Sequence, residues 1–183
     1  MMNDVTGKSA TDHFRRARKR ATLEDVVAHL TGKPADLLCY PDVREKLKVK
    51  GREARVLQEI PLAAIVGSVE RCCDFTRSFL PRKPISQHRW TSVEMALTKW
   101  PPIEAYEIDH AYFVLDGHHR VSVARQRGIS HIHAYVTEIC TRVPLDAAIL
   151  DHFEASPETL WKRRSCYTGL TATTVPISEG VRL

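Results

Sequence analysis

No stretch of the 183-residue sequence approaches the ~20 consecutive apolar residues needed to cross a bilayer. Nor does the amino terminus carry a basic segment followed by an apolar one, the pattern of a secretory signal. Both absences predict a cytoplasmic protein that meets no membrane. A disulfide framework is missing as well. The five cysteines are odd in number and irregularly spaced, and Cys72 and Cys73 are adjacent, which suits neither a set of bridges nor a zinc knuckle. They read as reduced thiols, one or both of the adjacent pair buried, because no Cys-x-x-Cys opens a helix. Internal repeats and low-complexity tracts are absent, which excludes solenoids and long linkers.

What is present is an ordinary globular composition, 43% hydrophobic and 27% charged, enough for one domain with a real core. The net charge of +5 permits a polyanionic partner without demanding one. After ten small and polar residues expected to fray, Asp12 is a suitable N-cap, and no Pro or Gly interrupts the chain until Gly32. Phe14, Ala17 and Ala21 share one face of that helix, whereas Leu23, Val26, Val27 and Leu30 share another. Either two helices or one helix that changes partners near Thr22 satisfies this pattern. Pro41 opens a short charged helix to about Lys48, and Lys50-Gly51-Arg52 reads as a linker. Residues 56 to 66, with Pro61 inside, read as an edge or bulged strand that turns at Gly67-Ser68. Phe75 and Phe79, at i and i+4, suggest a turn or two of helix before Pro81 and Pro84. A longer helix follows from Ser86 through Trp90, Val93, Leu97 and Trp100 to Pro101-Pro102.

The stretch from 103 to 138 is the most patterned. Strands at 103–108 and 111–115 flank Asp109-His110, a two-residue hairpin connection. Asp116-Gly117 leads into a helix carrying Val121, Val123 and Ala124, Gly128 ends it, and 132–138 forms another strand. Pro144 and Ser156-Pro157-Glu158 suggest two short helices before a disordered tail.

The strand-to-helix junction Asp116-Gly117-His118-His119-Arg120 is the candidate site. A helix start exposes unpaired N–H groups and partial positive charge, and Gly117 lets an anion approach the backbone. Basic residues in a first turn disfavour the helix, so an external anion would explain them. Arg120 offers a planar fork for phosphate oxygens, His118 or His119 a proton relay, and Asp116 a magnesium ligand or a base. The alternative is a plain capped helix with solvated charges.

Other groupings are weaker. His131 and His133 share one strand face, with His110 as a conceivable third metal ligand, but no Cys or carboxylate completes the set. Arg15, Arg16, Arg18, Lys19 and Arg20 put five cations in six residues, a candidate nucleic-acid contact or simply a solvated basic face. Trp90 and Trp100, flanked by Arg89 and Lys99, read as core rather than a base-stacking platform.

Tyr112 to Ile139 resembles the ParB/sulfiredoxin-like superfamily. Upstream, Ile60-Pro61-Leu62 with Ile65 looks like that family's first strand, and Pro102-Ile103-Glu104 like the strand before its phosphate loop. The resemblance implies an α+β fold, a small mixed sheet with flanking helices, over residues 56–140. A helical amino-terminal extension (1–55) with the basic arm and a helical then disordered tail (141–183) would complete the chain. It also implies nucleotide binding at the Gly-to-Arg loop. Sulfiredoxins carry Gly-Cys-His-Arg, and His118 stands at the cysteine position, which removes sulfinic acid reduction. Partition ParB proteins carry Gly-Glu-Arg-Arg, bind CTP and continue into further domains, for which the 43 residues after Cys140 are expected to be too few. Free L-serine kinases carry Asp-Gly-His-His-Arg, matched from Asp116 to Arg120, together with an upstream glutamate in the region of Glu70.

The expected function is therefore a phosphotransferase or nucleotide hydrolase that binds ATP, ADP or CTP with magnesium. Gly117, His118, His119 and Arg120 would hold phosphates, and Asp116, His118, His119 and Glu70 would do chemistry on a small acceptor. The competing class is a ParB-like DNA-binding regulator or nuclease using the basic helix. Assembly into a homo-oligomer is left open.

Overall fold

A computed structural model describes residues 2–47, 49, 51–96, 100–141 and 145. The architecture is α+β: helices α1 (Met2–Thr31), α2 (Tyr40–Leu47), α3 (Gln87–Met95) and α4 (His118–Gln126) surround one sheet. Its strands are β1 (Leu38–Cys39), β2 (Gly51–Pro61), β3 (Ile65–Ser68), β4 (Ile103–Ile108), β5 (Ala111–Asp116) and β6 (His131–Cys140). Their spatial order is β1-β3-β5-β4-β6-β2. The pairs β1/β3, β3/β5 and β4/β6 are parallel, whereas β4/β5 and β2/β6 are antiparallel. The expected mixed sheet with flanking helices is thus present.

The β4–β5 hairpin forms where expected, with Asp109 at φ 46° and His110 at φ 65°, the two positive values that a tight primed turn requires. Alternation along β5 then serves two cores. Tyr112 and Val114 face a cluster with Val121 and Ala124 of α4 and with Phe75 and Phe79. Phe113 faces the other side, against Tyr40, Val43 and Leu47 of α2. A third cluster joins Phe14, Ala17 and Ala21 of α1 to Trp90 and Val123, and the partly buried Trp100 packs on it. Both tryptophans therefore serve packing, as the sequence suggested.

Several local expectations are corrected. The first helix begins at Met2 rather than fraying, and runs unbroken until Gly32, at φ 69°. Its first face is buried, but Leu23, Val26, Val27 and Leu30 are all exposed, from 49% to 78%. Gly51 and Arg52 belong to β2 instead of a linker. The single extended segment expected at 56–66 is two strands, because a 3-10 turn at Leu62–Ala64 carries the chain from one side of the sheet to the other. Pro61 ends the edge strand, where its missing N–H costs nothing. Gly67 does not turn: it lies in β3, where a Cβ would come within 2.5 Å of the Leu38 carbonyl oxygen. No helix forms around Phe75 and Phe79. Both are fully buried, but Phe79 sits at φ 58° and Phe75 bridges to Pro81. That loop is tied down by Arg82, which pairs with Asp25 at 2.7 Å and with Asp36, and by Arg125, which donates to the Arg77 carbonyl at 3.1 Å and lies over the Phe79 ring at 4.9 Å. The helix from Ser86 stops at Met95, short of the prolines, and Ser86 makes no side-chain cap.

The reduced-thiol reading also fails. Cys39 and Cys72 form a disulfide with Cα atoms 5.5 Å apart, Cys73 is likewise disulfide-bonded, and Cys140 is a thiol. Among the described residues no helix is long and apolar enough to cross a membrane. Lys48, Lys50, Leu97, Lys99 and the suggested carboxy-terminal helices and tail lie outside the described residues.

Three substitutions check this packing. Val121 is fully buried against the sheet, so Val121→Asp is expected to abolish cooperative melting, because an unpaired charge would be buried. Phe14→Ala should cost about 3–5 kcal/mol in urea denaturation, whereas Leu23→Ala should stay within about 0.5 kcal/mol. Equal effects of the last two would contradict the docking of α1 by its first face alone.

Candidate functional site

The β5–α4 junction is set by one backbone conformation. Gly117 adopts φ 101°, and a Cβ there would overlap the Ile103 side chain and lie 3.1 Å from the guanidinium carbon of Arg120. No side chain caps α4, and its first helical hydrogen bond runs from the Val121 N–H to the Gly117 carbonyl at 3.0 Å. The N–H groups of His118, His119 and Arg120 therefore precede the helical ladder.

A cavity of about 400 Å³ opens there, lined by Glu70, Arg71, Arg89, Asp116, Gly117, His118, His119 and Arg120, among others. The site residues expected from sequence, Glu70 included, meet in this one space. The sequence reading missed Arg71, Arg89 and Ser68. Arg71 follows β3 in an irregular loop, and Arg89 is on α3, so only the tertiary fold brings them to α4.

Arg120 departs from expectation. Its fork, anticipated as a phosphate clamp, is turned inward: Nη1 donates to the carbonyls of Pro101 (2.6 Å) and Pro102 (2.8 Å), and Nη2 donates to Asp116. The internal carboxylate partner makes Arg120 a brace for the turn. Asp116 keeps 72% of its side chain exposed beside the cavity.

The two imidazoles are buried, at 4% and 6% exposure. Ser68 Oγ accepts the Arg71 N–H at 2.8 Å and lies 2.7 Å from His118 Nε2, so its hydroxyl hydrogen is available to that nitrogen. His118 stacks on Phe75 at 5.9 Å, and His119 meets the same ring edge-on at 5.3 Å. His119 Nδ1 is buried with no partner among the described residues. Burial, then the charge of Arg71, then His119 push His118 down to about 4. Burial, then Arg71, then Arg89 push His119 down to about 4. Both rings are neutral at pH 7.

The remaining candidates do not join this cavity. His131 and His133 are exposed on β6, and the parallel β4/β6 register sends His110 to the opposite end of the sheet, beside Glu107 at 3.2 Å. No group of three potential metal ligands occurs among the described residues. The basic run is no detached arm, because Phe14, Ala17 and Ala21 bury the same turns of α1. Arg15 pairs with Asp12 at 3.3 Å and Arg20 donates to Gln126 at 2.9 Å, Arg16 and Lys19 are exposed, and Arg18 is half-buried with its Nε enclosed and unpartnered among the described residues.

The depressed histidines predict a pH dependence of stability. Unfolding returns each to its ordinary 6.5, so the unfolded chain binds more protons between 6.5 and about 4. Stability is complete above that window and falls with pH through it, by about 1.4 kcal/mol per unit for each ring. Urea titrations from pH 7 to 4 measure the slope. His119→Gln should reduce it, and an unchanged slope would show that the ring titrates as if in water.

No protein-family model matches the chain, and no curated protein matches it. Among solved structures, the crystal structure of sulfiredoxin from Arabidopsis thaliana is similar over 54% of this chain and 96% of that one, with 18% identity and a TM-score of 0.30. At that identity and score the likeness carries no argument about the chemistry of this chain.

Proposed function

We propose that the β5–α4 cavity binds the phosphates of a nucleotide, and that the protein is a phosphotransferase or nucleotide hydrolase. The observation that carries this reading is an uncapped helix start opening into a cavity rimmed by Arg71 and Arg89. Phosphate oxygens would accept the N–H groups of His118, His119 and Arg120, with Gly117 allowing close approach. Arg71 and Arg89 would balance their charge, the task first expected of Arg120. The match of Asp116 to Arg120 with the serine-kinase loop supports the transferase form of the reading.

A neutral imidazole is competent to take a proton from an attacking hydroxyl or water, and Glu70 is the other candidate base on the same cavity. Asp116 is less suited to that task, since its carboxylate already accepts from Arg120 Nη2. Asp116 and Glu70 fit magnesium as hard oxygen donors exposed on the cavity. They form no complete cage, so the ion would arrive on the nucleotide, whose phosphates it would screen.

Calorimetry with ATP, ADP and CTP, with and without magnesium, tests the reading. At least one should bind, and Arg71→Ala should weaken it by about 10- to 100-fold, the loss of a charge-assisted contact. Arg120→Lys should instead lower the melting temperature, because the brace on Asp116 and the two proline carbonyls is lost. Wild-type protein that binds none of the three nucleotides would overturn the proposal.

A further inference from the structure

A second cavity, of about 290 Å³, lies where α1, α3 and α4 meet, walled by His13, Arg16, Arg20, Trp90, Glu94 and Arg127, among others. His13, Arg16, Ala17 and Arg20 fall at i, i+3, i+4 and i+7, so one stripe of α1 presents them together. Arg15, Arg18 and Lys19 take no part in the lining. The basic run is thereby split, and two of its cations line one solvent-open cavity with Arg127. Three guanidinium groups meet one carboxylate, and the cavity is net positive.

Glu94 is the unusual member. It is 4% exposed, and its Oε1 accepts from Arg127 Nη2 at 2.6 Å and lies 2.8 Å from His13 Nδ1. Its other oxygen, Oε2, is buried with no hydrogen-bond partner among the described residues. A buried carboxylate oxygen is costly until a donor reaches it. Arg20 is held over the end of α4 by Gln126, which leaves its remaining donors for a ligand.

Cations alone would accept any anion. Cations beside an acceptor-only oxygen favour an anion that still carries a hydrogen. Hydrogen phosphate keeps a P–OH at neutral pH, whereas sulfate, of the same shape, has none, and neither has a phosphodiester. We propose that this cavity binds a protonated phosphate, its ionised oxygens on Arg16 and Arg20 and its hydroxyl donating to Glu94 Oε2, with Arg127 anchoring Glu94.

Calorimetry on the full chain with inorganic phosphate, sulfate, glycerol 3-phosphate and a short DNA duplex tests this. Phosphate should bind at least about tenfold more tightly than sulfate, and Arg16→Gln with Arg20→Gln should weaken it about tenfold or more. In Glu94→Gln the amide can donate to the anion, so sulfate should come within about threefold of phosphate. The selectivity of the wild type and the arginine variant decide the matter even where Glu94→Gln fails to melt cooperatively. Tighter binding of glycerol 3-phosphate than of inorganic phosphate would overturn the proposal, because a monoester at neutral pH is mainly the dianion and has no P–OH to donate. Equal affinity for phosphate and sulfate, no binding of either, or displacement of phosphate by the duplex would also overturn it. So would loss of this binding in Arg71→Ala, which would put it at the β5–α4 cavity.

Discussion

The turn at Gly117 is the constraint on which the rest of the site depends. Its left-handed backbone is one that only glycine adopts at little cost, and the Ile103 side chain leaves no room for a Cβ. Because the chain turns there without a capping side chain, the first N–H groups of α4 face outward at the end of β5. Arg120 fixes the geometry by joining the strand end, through Asp116, to the Pro101-Pro102 approach to β4. A cation in a first helical turn opposes the helix dipole, and the three acceptors around Arg120 offset that cost within the protein. The basic first turn therefore needs no external anion to explain Arg120, although the neutral histidines beside it still leave the anion site open.

The electrostatics follow from the same arrangement. Burying two imidazoles next to Arg71 and Arg89 keeps them uncharged, so the positive field of the cavity comes from the arginines and the helix start. The rings are left able to move a proton. Arg71 is carried by an irregular loop, but that loop is not loose, since Phe75 and Phe79 are core residues and Arg82 binds it to α1. The Cys39–Cys72 bridge adds a covalent link between β1 and the residue following Arg71.

What could be read from sequence was local. The hairpin, the β5–α4 turn and the α4 face are fixed by residues within a few positions of one another, and all three appear as expected. Long-range determinants were hidden. The segment from 56 to 66 looked like one strand because its residues suit extended backbone, yet its halves pair with β6 and β5 on different sides of the sheet. Phe75 and Phe79 have helical spacing, but burial is achieved by turns that distant arginines secure. The Cys39–Cys72 bond depends on β1 lying beside β3, and no cysteine spacing announces it. Arg120 looked open because two of its three acceptors are carbonyls nineteen and eighteen residues upstream, which the sequence does not mark.

The central claim is that the first turn of α4 presents its backbone N–H groups to phosphate. Amide chemical shifts of isotope-labelled protein during titration with ATP and magnesium test it most directly. The account predicts that the largest saturable shifts belong to the amides of Gly117, His118, His119 and Arg120, with the Arg71 side chain moving in step. Saturable shifts elsewhere with those four amides unmoved, or no saturable shifts at all, would contradict it.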